Sequence, residues 1–388
     1  MQETWRWFGP QDNISLQEIR QTGATGIVTA LHDEAPGIAW TQAAIAERQG
    51  MIQSADMEWS VCESIPVPDS IKRDGATAVA EIEAWKMSLA RLGRSGVRTV
   101  CYNFMPVVDW TRTDLMFKLP SGGFALWYDH IDFVAYDVFI LARKSACDDY
   151  AASDVAAAQV RFENLNEAAQ LALEDNIIAG LPGGADGLSR PTISNLIASF
   201  NGMTKNDMRS NLLHFLSEVI PVAQEFGVKL AIHPDDPPLA LFGLPRIVSS
   251  AADARFILRS YDVPENGLAF CTGSYGARQG NDLTAMAQEF AHRVNFAHLR
   301  MVNLEGNNCF HEAEHLHRLD EMVAVVRALR NAERQTGVTI PMRPDHGHLL
   351  ATDATRASNP GYSYIGRLKG LAEIRGLIAG LDTTEDEV

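Results

Sequence analysis

Cysteine is scarce in this chain and unpatterned. Five cysteines, at positions 62, 101, 147, 271 and 309, make an odd number with no CxxC spacing. That argues against a disulfide framework and for reduced thiols. Long apolar runs are also missing: no stretch approaches the ~18 consecutive apolar residues of a membrane span. Basic charge is in deficit, with 33 Lys and Arg against 49 Asp and Glu, a net charge of −16 and no compensating basic patch. A phosphate backbone would be repelled, so nucleic acid is not an expected partner. The opening Met1-Gln2-Glu3-Thr4-Trp5-Arg6 lacks the basic-then-apolar pattern of a signal peptide. These absences lead to the expectation of a soluble, cytoplasmic protein, and the 46% apolar content is ample for a large core.

What is present is a recurring alternation. Short β-branched or aromatic runs occur at 4–9, 25–31, 57–65, 97–105, 228–233, 267–272, 294–301 and 339–345. Helical patterns fall between them, at 76–92, 205–226, 282–292 and 316–336, with Gly227 and Gly337 at the expected C-caps. Strands that alternate with helices imply a parallel sheet, and eight such units imply an α/β fold closed as a (β/α)8 TIM barrel. A doubly wound open sheet is the alternative. The whole of 1–388 reads as one barrel domain, interrupted by a long, mostly helical insertion at 106–200, after the fourth strand. Its alanine-rich 148–175 reads as helix. Because βα loops open on the active-site face of a barrel, the insertion is expected over the mouth as a lid or dimer contact. It begins with Asp109, Trp110 and Arg112, groups suited to a polyhydroxy acid, and Asp109 is a candidate substrate contact. The polar tail 383–388 is expected to fray.

Two motifs invite rejection. The glycine-rich 180–187 fits neither GxGxxG nor GxxxxGK[ST], so a nucleotide role is not expected there. His311-Glu312-Ala313-Glu314-His315 matches HExxH, in which two histidines on one helical face bind zinc. Here it follows the seventh strand of an alternating chain, a context foreign to zinc proteases. Its plain reading is a polar helix N-terminus with solvated histidines. An intermediate reading has His311 facing the barrel mouth and touching substrate.

The chemistry gathers at the C-terminal ends of strands five to eight, which in a barrel surround one site. Those ends carry His233, Cys271, His298 and Asp345, four metal-ligand types at equivalent positions. Alternation along a strand puts Ala231 with His233, Ala269 with Cys271, His298 with Arg300, and Arg343 with Asp345 on the inward face. Small residues below the ligands leave room for a metal, and Arg300 and Arg343 suggest an anionic substrate. Zinc is the default for a thiolate with imidazoles, while a carboxylate moves the site towards manganese or ferrous iron. With His346 beside Asp345, this is equipment for removing a proton α to a carboxylate. The turn at Gly347 would swing His346 back over the mouth.

At these residues the chain resembles the mannonate dehydratase family of sugar-acid lyases. The matching stretches are TWRWFG at 4–9, GIVTALH at 26–32, HPDDPP at 233–238, FCTGS at 270–274, HLR at 298–300, FHEAEHL at 310–316 and MRPDHG at 342–347. The resemblance implies a barrel related to xylose isomerase that uses Mn2+ or Fe2+ held at His233, Cys271, His298 and Asp345. It implies dehydration of D-mannonate to 2-keto-3-deoxy-D-gluconate in hexuronate breakdown, and extends a catalytic tyrosine to Tyr362. His346 is then the first choice for one proton transfer, with Tyr362 or the free oxygen of Asp345 for the other, and Arg343 and Arg300 stabilising charge on the carboxylate. A homo-oligomer, a dimer, is expected, with a small sugar acid and no membrane as partner.

Rival readings differ in the ligands they need. A barrel sugar isomerase or epimerase usually ligates its metal with several carboxylates. A zinc amidohydrolase needs an HxH pair on strand one, where this chain has Trp5-Arg6-Trp7-Phe8. A non-catalytic binding barrel leaves the ligand set unexplained.

Overall fold

A computed structural model describes residues 1–179 and 189–385. Twelve strands are present among them: β1 Gln2–Arg6, β2 Gly26–Thr29, β3 Glu58–Glu63, β4 Thr99–Tyr102, β5 Asp114–Lys118, β6 Phe124–Tyr128, β7 Lys229–Ile232, β8 Asn266–Cys271, β9 Val294–His298, β10 Val302–Gly306, β11 Cys309–Glu312 and β12 Pro341–Arg343. Eight of them close a barrel in the order β1-β12-β9-β8-β7-β4-β3-β2. All neighbours in it run parallel. These are the eight strands expected from the sequence, so the fold is the (β/α)8 barrel and not the open sheet.

The barrel interior is a layer of inward side chains. Val28, Val61, Cys101, Ala231, Ala269 and Phe296 form a buried cluster, one from each of six strands. Ala231 and Ala269 are small, as the alternation predicts, and the space above them is where the ligand side chains gather. The outer helices bury apolar stripes against the sheet. In helix Lys205–Phe226 the buried residues are Met208, Leu212, Phe215, Leu216, Val219, Ile220 and Ala223, the spacing of one helical face. Thr204 and Asp207 form a capping box at its start, and Gly227 ends it in the left-handed conformation at φ +62°. Gly337 plays the same part after helix Leu319–Thr336.

The structure departs from expectation in the long loops. The insertion carries the helices Ala152–Glu163 and Glu167–Ile178, which divide the single helix expected over 148–175, but it begins with the hairpin β5–β6. That hairpin joins β10 and β11 in a four-stranded antiparallel sheet of order β10-β11-β6-β5. The turn between β10 and β11 is Asn307-Asn308, both at positive φ, the geometry that twists with its flanking strands. His311 and Glu312 therefore lie in a strand and not at a helix N-terminus. The two histidines of the HExxH pattern share no helical face, and the protease reading fails on that ground. Residues 383–385 of the tail expected to fray continue the final helix Tyr364–Glu385, and 386–388 lie outside the described residues. The glycine-rich stretch at 180–187 lies outside the described residues. No helix among the described residues is long and apolar enough to cross a membrane.

A Cβ at Gly227 would meet only the tip of Arg98, at 3.6 Å, so replacing this glycine tests backbone conformation alone. An L-residue held left-handed costs about 1–2 kcal/mol. Gly227→Ala should lower the urea midpoint by a corresponding amount with catalytic activity unchanged, and an unchanged midpoint would show that the cap contributes nothing.

Candidate active site and metal centre

Strand register delivers the donors to one level. Cys271 pairs with His298 across β8 and β9, and Arg343 pairs with His298 across β12 and β9. His233 follows β7, its N–H donating to the Tyr102 carbonyl at 2.9 Å. As a result one ligand atom from each of His233, Cys271 and His298 lies within 4.8 Å of the others. The Pro234 carbonyl, 2.7 Å from His233 Nδ1, can only accept, so that nitrogen carries the hydrogen and Nε2 keeps its lone pair. His233 Nε2 faces His298 Nδ1 at 3.2 Å. Arg343 Nη2, which can only donate, approaches the same Nδ1 at 3.5 Å. Burial, the largest influence on both rings, lowers the pKa of His233 and holds that of His298 well below the usual imidazole value. Two neutral imidazole lone pairs that face each other beside a buried thiol are a donor set a divalent cation would satisfy.

Asp345 completes the group. Its Oδ2 lies 3.6 Å from Cys271 Sγ and 3.9 Å from His298 Nδ1. It takes the left-handed conformation at φ +62°. That, and not Gly347, turns the chain so that His346 follows Asp345 into the pocket. Gly347 has no positive φ; a Cβ there would stand 2.4 Å from the backbone of Gly366 and Arg367. Its role is close packing.

Around these donors lies a lattice of buried arginines and carboxylates. Arg343 donates to Glu63 at 2.9 and 3.1 Å and also to Asp345. Arg300 donates to Asp345 at 2.5 Å, to Asp236 at 2.7 Å, and to Glu312 at 2.6 and 2.8 Å. Arg112 bridges Asp236 at 2.6 Å and Glu312 at 2.8 Å. Burial alone would raise every one of these carboxyl pKa values, but the guanidinium groups outweigh it. Glu63 is brought down to about 2, and Asp236, Glu312 and Asp345 are lowered as well. Gly273 makes room for this packing, since a Cβ there would stand 2.3 Å from Arg300 Nη1.

His233, Asp345, His346, Arg343, Tyr362 and Asp109 all line one pocket at the barrel mouth. His346 Nδ1 lies 3.0 Å from Glu312 Oε1. The ring stands edge-on to Tyr362 and Trp110, at centroid distances of 5.2 and 5.9 Å. Asp109 faces Lys72 Nζ at 3.6 Å.

Two expected substrate contacts are placed elsewhere. Arg300 does not line the pocket, and its guanidinium is taken up by Asp345, Asp236 and Glu312, so it positions those groups and has no face for a substrate carboxylate. His311 lies on the face of β11 opposite Glu312, packed against Phe117 and Trp127 at 5.4 and 6.0 Å and 3.2 Å from Glu305. Side chains alternate along a strand, so one of this pair must face away. His315 is buried with Nε2 2.8 Å from the Pro344 carbonyl. Conversely, sequence reasoning passed over Arg6, His32, Glu63, Asp236 and Glu312. Glu63 stands at the C-terminal end of β3 and was legible by the rule that identified Cys271. Glu312 arrives on a loop hairpin that strand-end logic does not reach.

The low pKa of Glu63 has a consequence for acid stability. Its folded value is about 2 against an ordinary 4.5. Its stabilising contribution is therefore complete above about pH 4.5 and is lost as the pH falls towards 2. Glu63→Gln should cost several kcal/mol at neutral pH, about 3–5 for a broken buried pair. The gap from the parent protein should narrow in acid, and urea titrations in which the gap stays constant would contradict the assignment.

Residues 1–387 match the family model described as D-mannonate dehydratase (UxuA). The chain is 57% identical over 387 residues to mannonate dehydratase 2 of Agrobacterium fabrum, covering 98% of each. It is 49% identical to a mannonate dehydratase of Saccharophagus degradans, covering 99% of each. The solved mannonate dehydratase of Streptococcus suis serotype 2 superposes with a TM-score of 0.78 at 33% identity, covering 97% of this chain and 94% of that one. A D-psicose 3-epimerase of Clostridium cellulolyticum H10 shares the barrel at a TM-score of 0.53, but at 10% identity the likeness is one of fold alone. By sequence over nearly its whole length, the chain belongs to the D-mannonate dehydratase family.

Proposed function

We propose that the chain dehydrates D-mannonate to 2-keto-3-deoxy-D-gluconate, with Mn2+ or Fe2+ held by His233, Cys271, His298 and Asp345. The observation that carries this reading is the convergence of two imidazole lone pairs, a thiol and a carboxylate beside a pocket that also holds His346 and Tyr362. When bound, the cation would supply a Lewis acid for the charge that develops on the substrate carboxylate as the C2 proton leaves.

The protein's own groups carry the proton transfers. Glu312 is ionised and can only accept, so His346 Nδ1 carries a hydrogen towards it, and in the neutral ring the lone pair sits on Nε2. That tautomer suits His346 to take the proton from C2. Burial raises the pKa of the Tyr362 phenol, with Arg343 and Arg6 opposing, so it is protonated at neutral pH and suits donation to the departing C3 hydroxyl. Arg343 lines the same pocket but is bound to Glu63 and Asp345, so its contribution to the substrate carboxylate is field more than direct contact. Asp109 and Trp110, at the start of the insertion, supply hydrogen bonding and an apolar wall, and the insertion closes over bound sugar acid. This reading places the protein in the cytoplasm, in hexuronate breakdown, as a homodimer acting on a small sugar acid. The five free thiols support that compartment, and the net charge of −16 argues against nucleic acid.

Purified protein loaded with Mn2+ or Fe2+ should release a 2-keto-3-deoxy acid from D-mannonate, lose that activity to a chelator and regain it with metal. Isomerisation or epimerisation of a neutral sugar with no keto acid formed would replace the reading with its nearest rival. Cys271→Ser should lower bound metal and turnover together, and full metal occupancy by elemental analysis would remove Cys271 from the ligand set. His346→Asn should keep its metal, lose at least about 100-fold in kcat with little change in KM, and stop exchanging the C2 proton. Retained exchange would assign the base elsewhere.

A further inference from the structure

The β1–β2 side of the pocket contains a polar group for which the reaction above has no use. His32 follows β2 and lines the pocket, yet both its ring nitrogens are buried without a hydrogen-bond partner. A buried donor and a buried acceptor left unsatisfied are costly to keep. Such a cost at a pocket wall points to a ligand group that meets it. Phe8 separates this ring from the reacting groups. It packs against Tyr362 at 4.8 Å on one side and against His32 at 5.6 Å on the other.

We propose that His32 sets the chain-length specificity of the enzyme by hydrogen-bonding a hydroxyl on the tail of the sugar acid, at C5 or C6. The inference rests on the dehydratase reading, which puts C2 and C3 beside His346 and Tyr362. A six-carbon acid anchored there has its remaining hydroxyls to place, and His32 lines the same pocket as Tyr362, with Phe8 packed against both rings. The chemistry selects a hydroxyl over a carboxylate. Burial first, and then the Arg6 and Arg48 guanidinium groups, lower the pKa of this imidazole to about 3. At neutral pH it offers one N–H and one lone pair, the complement of a hydroxyl, which both accepts and donates. A carboxylate would satisfy only the N–H.

The test compares D-mannonate with the five-carbon and four-carbon aldonates of matching C2 and C3 configuration, on metal-loaded parent, His32→Phe and His32→Gln proteins. Selectivity is read as kcat/KM or, for acids that bind without turnover, as inhibition constants. The parent should favour D-mannonate over the four-carbon acid. His32→Phe should lose roughly 10- to 100-fold on D-mannonate and little on the four-carbon acid, so that the preference for length collapses. His32→Gln, which restores a donor and an acceptor, should recover part of it. A parent that does not discriminate by length, or a His32→Phe protein with unchanged discrimination, overturns the proposal. So does an equal loss on every substrate, which marks a structural role. A parent protein that fails to dehydrate D-mannonate at all overturns the dehydratase reading instead, and the inhibition constants still report on His32.

Discussion

The organising constraint of this structure is the burial of four arginines against four carboxylates at the barrel mouth. Arg6 and Arg343 share Glu63, Arg343 and Arg300 share Asp345, and Arg300 and Arg112 share both Asp236 and Glu312. Buried ions are tolerable only when each is paired and hydrogen-bonded. Here every carboxylate serves at least two guanidinium groups. The lattice is balanced in charge by itself. In the proposed holoenzyme a divalent cation with the Cys271 thiolate adds one positive charge, which the carboxylate of a sugar acid would match. An acidic protein can thus present a centre suited to an anion, because the charge that matters is local.

The lattice also explains the small antiparallel sheet. β11 brings Glu312 to Arg300, Arg112 and His346, and β11 is held in place by β6, from the insertion. Arg112 leaves the start of the same insertion and lies over the Phe310 ring at 4.9 Å. The loops after β4 and β9 are therefore tied to each other both by strand pairing and by a buried ion pair. The tautomer of His346 depends on this tie, so a contact made far along the chain decides which ring nitrogen carries the hydrogen in the group proposed to do the chemistry.

The two arginines read from the sequence as substrate-binding show how little a residue type says about its partners. Arg300 and Arg343 both face inward on strand-end positions, as alternation predicts. Yet Arg300 is consumed by three carboxylates and excluded from the pocket, while Arg343 reaches the pocket with most of its donors spent. Alternation fixes a direction and not an occupancy. His311 and Glu312 show the converse. Both belong to a recognisable motif, and the strand that carries them sends only the glutamate towards the site.

Periodicity along single elements is local information, and it determined the eight barrel strands, the capping of the helices at Gly227 and Gly337, and the alignment of His233, Cys271, His298 and Asp345 at successive strand ends. Each of these follows from the two-residue repeat of a strand or from the conformational freedom of one glycine, and neither needs a distant partner. Tertiary structure decided the rest. Glu63 was legible as a strand end, but its pairing with Arg343 joins residues 280 positions apart. The turn that brings His346 inward is made by Asp345, held left-handed among two arginines; aspartate tolerates that conformation better than most residues, but its type alone does not say at which position it is used. The sheet over the mouth joins a hairpin from the insertion to one that follows β9, and its pairing has no periodic signature until the barrel has brought the two loops together. Sequence patterns report which face of an element is buried; they do not report what waits on the other side.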